Sequence, residues 1–448
     1  MKFKIVSLLS IIISFGIFFE VKAQQDSVIT NAVEKEISLS EALKITLERN
    51  YQVKISRSNL NIAENNNSWG RAGRQPLVTF DLSQRNRYNN LPPDNSRTES
   101  FTNSLNPSVN ANWILFNGFA VNITKKNLEE YQKISEDNLE IQLENTILMT
   151  VLGYYNMLLQ NEKLDVLTNI MNLSRDRYEY VKTRKELGSA VTFDVLQVKD
   201  AFLSDSSNYI LQKLNFDNSV RDFNQLLADT AYVSYIPTDE FKTELLDLNY
   251  EELKTMMAEN NKTMQRQYVN QNILQNNVGL QKSSLYPRIS INAGADNSNI
   301  RTDMISPDAG ASTANNYGAY ANLSLSYTIF NGGNRKRNIQ NAIIEEEIGQ
   351  MQIEDLKLTL NNQLLSMLEL YNARKQLYRV ADESTKSSEL NLQIAKDKFA
   401  SGAINSFNYR DIQLSYINAS FKKLEAIYLL IGSHNDLLRL TGNIISQY

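Results

Sequence analysis

The sequence contains no cysteine, and His434 is its single histidine in 448 residues. Without cysteine the chain has no disulfide, no thiol nucleophile, no cysteine-ligated metal and no lipid-modified cysteine. One imidazole cannot build a histidine cluster for zinc, and no catalytic constellation can be assembled around it. A phosphate-binding loop motif is also absent from the sequence. We therefore predict a protein that is not an enzyme and that uses no cofactor or metal.

Proline is scarce as well: the chain has seven, and none falls in residues 108–236 or after residue 307. Proline breaks helix interiors because it lacks a backbone N–H, so its absence permits long uninterrupted helices. Two such stretches, 119–186 and 334–399, would each reach roughly 100 Å at 1.5 Å per residue. Their apolar positions recur every three to four residues, which is typical of helices packed side by side as coiled coils.

An apolar run at the N-terminus is too short for a typical transmembrane helix. Lys2 and Lys4 precede the apolar residues 5–19, and Val21-Lys22-Ala23 follows as a small-x-small cleavage motif. This order is typical of a cleavable signal peptide, here residues 1–23, rather than of a membrane anchor. We expect an exported protein without a transmembrane helix. Its formal net charge of −4, spread along the chain, argues against a nucleic-acid partner.

The chain is predicted to contain two similar halves. A Phe-Asn-Gly junction between an alternating run and a helical stretch occurs at 116–118 and again at 330–332. Other landmarks recur in the same order and at nearly the same separation: the capping boxes at 38–41 and 249–252, Pro76 and Pro287, and Gly188 and Gly402. Ordered recurrence of this kind indicates an internal duplication. We predict two repeats, residues 24–240 and 241–448.

Each repeat has the same predicted order: a helix, two strands joined by a polar loop, a very long helix, a turn at a glycine and a returning helix. The predicted hairpins span 76–118 and 287–332, with loops at 88–105 and 300–316. The other predicted helices are 38–72 and 192–229 in the first repeat and 249–284 and 406–440 in the second. The expected fold class is therefore mainly α with a small β part.

The predicted strands have one apolar and one polar face. From Tyr317 to Ile329, apolar side chains alternate with mostly small or polar ones, and 108–115 alternates in the same way. A half-buried hairpin of a soluble protein would also alternate, but these runs are close to the 9–11 residues that span a bilayer when tilted. Trp113 and Tyr327 near the strand ends fit an interfacial aromatic belt. Four strands cannot close a barrel, and an open edge in lipid is very costly, so we expect three chains to supply twelve strands.

Together these features resemble the TolC-like outer-membrane efflux proteins. The resemblance covers essentially the whole chain after the predicted signal peptide. It rests on the duplicated unit, the junctions "LFNG" and "IFNGG", and the glycine-centred turns "LGSAVTFDVLQ" and "SGAINSFNYRD". It implies a trimeric twelve-stranded barrel in the outer membrane, continuous with a long periplasmic α-helical barrel.

The resemblance also implies a function and partners. Such a protein is the passive exit duct of a tripartite efflux or type I secretion system, gated at its periplasmic tip. There it would dock with a periplasmic adaptor protein and, through it, with an inner-membrane RND or ABC pump. The turns at 187–194 and 401–408 correspond to the tips, and the adaptor-docking candidates are Leu187, Gly188, Ser189, Ser401, Gly402 and Ala403.

The resemblance further implies gate and junction residues. The gate positions around the second tip hold Phe399, Ile404, Asn408 and Asp411, and Asp194 holds the acidic position of the first tip. Because Ile404 stands where the family has a basic residue, we expect closure by packing of the uncharged gate residues. Three Asp411 carboxylates would then form a ring that selects cations. Gly118, Gly332 and Gly333 are the predicted strand-to-helix junctions.

Other interpretations stay open from the sequence. A periplasmic coiled-coil adaptor or scaffold of an export complex would also be exported and helical, but it would not need amphipathic strands in both repeats. A ligand-binding porin would have strands without the long helices. The basic residues that begin the long helices oppose the helix dipole, and they are either solvated or in contact with phosphates of outer-membrane lipid. They are Lys125, Lys126, Arg335, Lys336 and Arg337.

Overall fold

The computed structural model describes residues 33–91, 98–230, 232–305 and 310–448, so the predicted signal peptide lies outside it. The chain forms two series of elements in the same order. The first comprises β1 (Val33–Ile37), α1 (Leu39–Arg49), α2 (Tyr51–Asn66), β2 (Leu77–Leu91), β3 (Thr98–Asn117), α3 (Ala120–Glu186) and α4 (Thr192–Leu227). The second comprises β4 (Val233–Pro237), α5 (Tyr250–Asn260), α6 (Lys262–Ser283), β5 (Arg288–Ile305), β6 (Ser312–Ser326), α7 (Asn334–Ala400), α8 (Ser406–Leu440) and α9 (Ile444–Gln447).

The long helices α3 and α7 have 67 residues each and match the predicted stretches to within one residue at either end. Each folds back on its returning helix, α4 or α8. In α3 the buried residues Leu167, Ser174 and Val181 are seven positions apart, which is the spacing of a coiled-coil seam. Within the described ranges, no helix carries an apolar stretch long enough to cross a membrane.

The helices predicted at 38–72 and 249–284 are each two helices separated by an asparagine. Asn50 follows α1, and its side chain accepts hydrogen bonds at 2.9 and 3.4 Å from two backbone N–H groups at the start of α2. Asn261 follows α5 and accepts one at 2.9 Å from the start of α6. Such a side chain gives the backbone a partner outside the helix, so the helix ends and a new one begins. The prediction of continuous helices was wrong because apolar periodicity does not report a change of axis.

Strands β2, β3, β5 and β6 form one antiparallel sheet in that order. They are 15 to 20 residues long, so the segments predicted as loops, 88–105 and 300–316, are mostly strand. Tyr88, the first residue of the first of these segments, pairs with Phe101 near its end. The asparagines and serines here suggested turns, which these residues favour. A long strand can also carry these residues on both faces, and composition alone does not distinguish such a strand from a loop.

The sheet separates an apolar face from a polar face, as the alternation predicted. One register row joins Phe80, Val109, Ala295 and Ala319, and the next joins Asp81, Ser108, Asp296 and Gly318. On the polar face Tyr320 donates a hydrogen bond to Asn110 Oδ1 at 2.7 Å. Asn110 Nδ2 donates in turn to Asp81 at 3.0 Å. This chain of hydrogen bonds crosses all four strands on the face that has no apolar band.

The hydrophobic core surrounds the middle of the long helices. Tyr154 in α3 and Tyr371 in α7 are almost completely buried there. A parallel pair of strands that the sequence did not predict, β1 and β4, packs beside Tyr154. The Tyr154 hydroxyl lies 2.5 Å from the carboxylate of Asp239 and accepts a hydrogen bond from the Thr238 N–H. Short elements from both repeats therefore brace the two long helices at mid-height, far from the turns at their ends.

Candidate functional site

The two helical hairpins end in turns of the same geometry. Gly188 and Gly402 have φ values of +76° and +75°. At the second turn, Gly402 N–H donates to the Phe399 carbonyl at 3.1 Å and Ala403 N–H donates to the Lys398 carbonyl at 2.8 Å. The equivalent pair at Gly188 measures 2.9 and 2.8 Å. This is a Schellman motif, and its left-handed residue is glycine because a Cβ would be strained there.

Both turns are exposed to solvent. The candidate docking residues Leu187, Gly188, Ser189, Ser401, Gly402 and Ala403 are all exposed, and Leu187 is 77% exposed. Two further apolar side chains, Phe193 and Phe407, are 71% and 67% exposed at equivalent positions of the returning helices. Sequence reasoning missed this pair, although both follow the turn glycine by five residues. Apolar side chains exposed at both tips are available to a partner protein.

The returning helices begin with caps supplied by different residues. Asp194, placed at the gate by the sequence, is half-buried and accepts a hydrogen bond from the Val191 N–H at 3.4 Å. At the second tip Asn405 accepts one from the Asn408 N–H at 2.9 Å. Asn408 itself is exposed. The structure therefore gives Asp194 a capping contact within its own hairpin.

Phe399, a predicted gate residue, lies in an aromatic cluster. Its ring stacks on Tyr409 with 5.2 Å between centroids and 23° between planes. It meets Tyr180 of α3 edge-on at 6.2 Å. Tyr409 is only 3% exposed, whereas Phe399 is half-buried. Phe399 therefore links the end of α7 both to its own returning helix and to the neighbouring hairpin.

A buried ion pair joins the two hairpins next to this cluster. Arg410 Nη1 and Nη2 donate to the two carboxylate oxygens of Asp205 at 2.6 and 2.7 Å. The Asp205 side chain is fully buried, and it also accepts a hydrogen bond from Ser174 Oγ at 2.6 Å. Arg410 is thus engaged by α4 and not by its neighbour Asp411. Ser174 lies on the seam of α3 that also contains Leu167 and Val181, where the sequence predicted helix packing.

Arg177 of α3 lies in the same layer and is 5% exposed. Its guanidinium sits over the ring of Tyr409, 5.2 Å from the centroid. Burial, followed by the nearby charge of Arg410, lowers the pKa of Arg177 to about 10, so it stays charged at neutral pH. In the described part of the chain, its Nε and Nη1 atoms meet no hydrogen-bond acceptor. Sequence analysis did not single out Arg177, because an arginine within a helical stretch is usually exposed to solvent.

The remaining gate candidates face different surroundings. Ile404 is half-buried, and Asp411 is exposed at the edge of a cavity that Arg177 and Arg410 also line. Among the described residues, Asp411 shares this cavity with one other carboxylate, that of Asp200, so the single chain forms no ring of acids there. Such a ring needs copies of the chain.

The strand-to-helix junctions explain why Phe-Asn-Gly recurs. Gly118 and Gly332 have φ values of +68° and +66°, and the residue after each is left-handed too. The preceding asparagines accept hydrogen bonds from the first turn of the long helix, Asn117 at 3.3 Å and Asn331 at 3.4 Å. The asparagine thus caps the long helix while the glycine turns the chain out of the strand.

The two junctions differ in what covers them. A Cβ on Gly118 would lie 2.3 Å from the carbonyl oxygen of Ser283 at the end of α6. Near it Phe116, Phe119 and Tyr286 meet edge-on at 5.4 to 6.4 Å. At the second junction Phe330, the counterpart of Phe116, is 82% exposed. The second junction therefore presents an apolar surface where the first is packed.

Some of the basic residues at the junctions contact the protein itself. Lys125 lies 2.8 Å from Glu129 and 2.6 Å from Asn67 Oδ1. Arg335 donates to the carbonyl of Thr328, and Arg337 to that of Gly332 at 3.1 Å. These contacts offset the unfavourable placement of positive charge at a helix N-terminus. Contact with lipid phosphate is not needed to explain Lys125.

Comparisons with known proteins agree with this architecture. The family model described as "Outer membrane efflux protein" matches residues 42–229 and 254–443. No curated protein matches the sequence. Among solved structures, the Campylobacter jejuni CmeC outer membrane channel is 16% identical, with a TM-score of 0.69, covering 90% of this chain and 85% of that one. The outer membrane protein VceC of Vibrio cholerae is 11% identical, with a TM-score of 0.67 and coverages of 90% and 96%.

The open state of the Neisseria gonorrhoeae MtrE outer membrane channel is similar in the same way. It is 14% identical, with a TM-score of 0.68, covering 91% of this chain and 89% of that one. These structural likenesses support the fold, and the family match covers both halves of the chain. The adaptor interpretation gains no support from them. The chain therefore belongs to the outer membrane efflux protein family and is an outer-membrane export channel with a TolC-like, mainly helical fold.

Proposed function

We propose that three copies of this chain form one exit duct, with a twelve-stranded barrel in the outer membrane and a helical barrel in the periplasm. The packing order of the helices supports this assembly. Within one chain α3 contacts both α2 and α6, and α6 contacts both α3 and α7. Since α2 and α6 are repeat equivalents, as are α3 and α7, the α3–α6 contact should recur between α7 and α2 of the next copy.

The exposed second strand-to-helix junction is the main support for the proposed trimer. Ile329 and Phe330 are 88% and 82% exposed, whereas Phe116, the counterpart of Phe330, packs against Tyr286 beside α6. The equivalent of α6 that would cover Phe330 is α2 of a neighbouring copy. Leaving two large apolar side chains in water would sacrifice roughly 1.5–3 kcal/mol each. A neighbouring copy offsets this cost and closes the ring.

The duplication also predicts the register between copies. Asn110 of β3 pairs with Gly294 of β5 within the chain. The repeat equivalent of Asn110 is Ser324 in β6, and that of Gly294 is Ser83 in β2. Ser324 should therefore lie opposite Ser83 of the next copy. Paired residues on antiparallel strands lie about 4.5–5.5 Å apart at Cα, which a disulfide can bridge.

A double variant, Ser83→Cys with Ser324→Cys, tests the assembly cleanly because the natural chain has no cysteine. Mild oxidation should give covalent trimers on denaturing gels. The control pairs Ser83→Cys with Asn316→Cys, eight residues before Ser324 in β6, and should give no covalent trimer. Covalent dimers alone, or equal cross-linking of both pairs, would contradict the proposed barrel.

The proposed duct is passive and opens at its helical tips. Substrates would enter from an inner-membrane pump of the RND or ABC type through a periplasmic adaptor protein that docks on both turns. The exposed side chains of Leu187, Phe193 and Phe407 support docking there. We propose that Phe399, Ile404 and Asn408 close the resting tip, with Asp194 beside them and Asp411 lining the entrance. Co-purification of an adaptor with the wild-type trimer, lost on Phe193→Ser with Phe407→Ser, tests the docking.

Export and membrane placement complete the proposal. The N-terminal segment 1–23 would be a cleavable signal peptide that directs the chain to the outer membrane. The apolar face of the sheet would meet lipid, while the row of Asp81, Ser108, Asp296 and Gly318 would face the lumen. Mass measurement of the purified mature chain, with cleavage expected after Ala23, tests the first step.

A further inference from the structure

A cavity of about 370 Å³ lies between α4 and α8 beside the second tip, and Arg177 of α3 reaches it. Its lining includes two guanidinium groups, from Arg177 and Arg410. The hydroxyls of Ser204 and Ser406 and the amide of Gln197 belong to residues of the same lining. The cavity thus gathers hydrogen-bond donors around two positive charges.

The buried charges beside this cavity, those of Arg177, Arg410 and Asp205, do not balance. Arg410 is paired with Asp205 through both of its terminal nitrogens, and the remaining Asp205 contact is taken by Ser174. Arg177 is almost completely buried, with an exposed fraction of 5%. Among the described residues, its Nε and Nη1 have no hydrogen-bond partner. One buried positive charge is therefore left over.

A buried arginine has few ways to relieve this situation. Unlike lysine or histidine, it does not lose its proton near neutral pH. Taking an unpaired charge out of water is costly, and buried charges are normally paired. The ring of Tyr409, 5.2 Å away, contributes a cation–π contact but no hydrogen-bond acceptor in the ring plane of the guanidinium. The missing component is an acceptor with negative charge.

We propose that this cavity binds a small oxyanion, a phosphate or carboxylate group, held by Arg177 with Arg410 beside it. The planar fork of a guanidinium matches the paired oxygens of such a group. Serine hydroxyls on α4 and α8 complete a polar wall. Because Tyr409 also stacks on Phe399, the bound anion would stiffen the aromatic contact that joins the two hairpins.

Two carboxylates line the same cavity and must be considered. Asp200 and Asp411 are exposed, so water screens their charges. The nearby charge of Arg410 lowers the pKa of Arg177, and Tyr409 and the buried Asp205 raise it. The anion would therefore sit on the Arg177 side of the cavity. This site depends on the fold of the tip and not on any role of Phe399 or Asp411 in gating.

Inorganic phosphate is the probe that tests the site. Thermal unfolding of the detergent-solubilised trimer is followed in phosphate and in chloride at equal pH and ionic strength. Binding to the folded state raises the unfolding temperature in proportion to ln(1 + [L]/Kd). Phosphate also stabilises proteins by exclusion from their surfaces, so the informative quantity is the difference between variants.

Arg177→Met keeps an unbranched apolar stem and removes the guanidinium with its charge. Arg175→Met is the matched control because Arg175 is exposed two residues away. Wild type and the Arg175→Met variant should show the same extra shift in phosphate, and Arg177→Met should lose it. An equal shift in all three proteins would overturn the proposal. If Arg177→Met does not assemble, titration calorimetry of phosphate into wild type decides, since heat that fails to saturate at one equivalent per chain also overturns it.

Discussion

Arg410 and Asp205 form a two-bond ion pair, 2.6 and 2.7 Å long, between the returning helices of the two hairpins. Asp205 is fully buried, and Arg410 adjoins the turn that would form one side of the gate. Removing one partner from such a pair is more damaging than replacing both, because the other charge stays buried and unpaired. This pair connects the two hairpins of one chain through a buried contact between α4 and α8.

Asp205→Asn should therefore loosen the tip. It removes the counter-charge of Arg410, and losses of about 3–5 kcal/mol are typical of a broken buried pair. Hydrogen exchange should speed up in 174–181 and 405–413 while the core around Tyr154 stays protected. Asp200→Asn, an exposed acid on the same helix, is the control. Unchanged exchange at the tip in Asp205→Asn would contradict a clamp.

Phe399→Ala should raise the resting conductance of the channel in planar bilayers. The substitution removes the ring that stacks on Tyr409 and meets Tyr180, and truncating such a side chain typically costs about 3–5 kcal/mol in a packed site. Asp411→Asn should instead weaken cation selectivity and leave the closed state nearly unchanged. The reverse pattern, with Asp411→Asn opening the channel and Phe399→Ala silent, would show that a charged lock closes it.

Gly118→Ala should impair assembly more than Gly332→Ala. Both positions have positive φ, which strains alanine by about 1–2 kcal/mol. At Gly118 the new Cβ would also lie 2.3 Å from a backbone carbonyl, whereas at Gly332 nothing described lies within 4 Å. The amount of heat-resistant trimer on denaturing gels measures assembly. Gly310→Ala is the control, because a Cβ on Gly310 would have nothing within 4 Å. A lower yield for Gly332→Ala would point to a neighbour's atom at that junction.

Phe330→Ser should reduce trimer yield without disturbing the fold of the single chain. Its side chain is 82% exposed, so a single chain gains nothing from it. Phe193→Ser is the comparison, since Phe193 is 71% exposed at the tip and should affect adaptor binding instead. Analytical ultracentrifugation in detergent separates the two results. Normal trimers of Phe330→Ser would remove the main support for the proposed ring.

Glu144→Gln should stabilise the protein at pH 8 and have little effect near pH 4. Burial raises the pKa of Glu144 from 4.5 to about 7, although Lys262 and Arg439 oppose the shift. Because the folded-state pKa is the higher one, wild type loses stability as the pH rises from about 4.5 to 7. At about 1.4 kcal/mol per pKa unit the loss is at most about 3 kcal/mol. Thermal unfolding against pH measures it, with exposed Glu136→Gln as the control; parallel pH profiles for all three would contradict the shift.

Local rules in the sequence were enough for the long helices, the hairpin strands and their order. The scarcity of proline located the long helices to within a residue, and the alternation in 317–329 assigned the faces of β6 correctly. The repeated Phe-Asn-Gly marked both junctions because a capping asparagine and a left-handed glycine are local requirements. Local rules failed where context decides: asparagine-rich segments became strand, and Asn50 ended a helix that periodicity continued.

The sequence by itself determined the duplicated architecture, since helix length, strand alternation and turn glycines depend on neighbours along the chain. Only the tertiary structure decided the chemistry of the tip. Asp205 and Arg410 are 205 positions apart, and Arg177 belongs to a third helix, so no spacing links them. Each is an ordinary charged residue of a helical stretch until packing removes water from it. Burial makes the ion pair a contact that holds the hairpins together, and it makes the second arginine, Arg177, a candidate anion site.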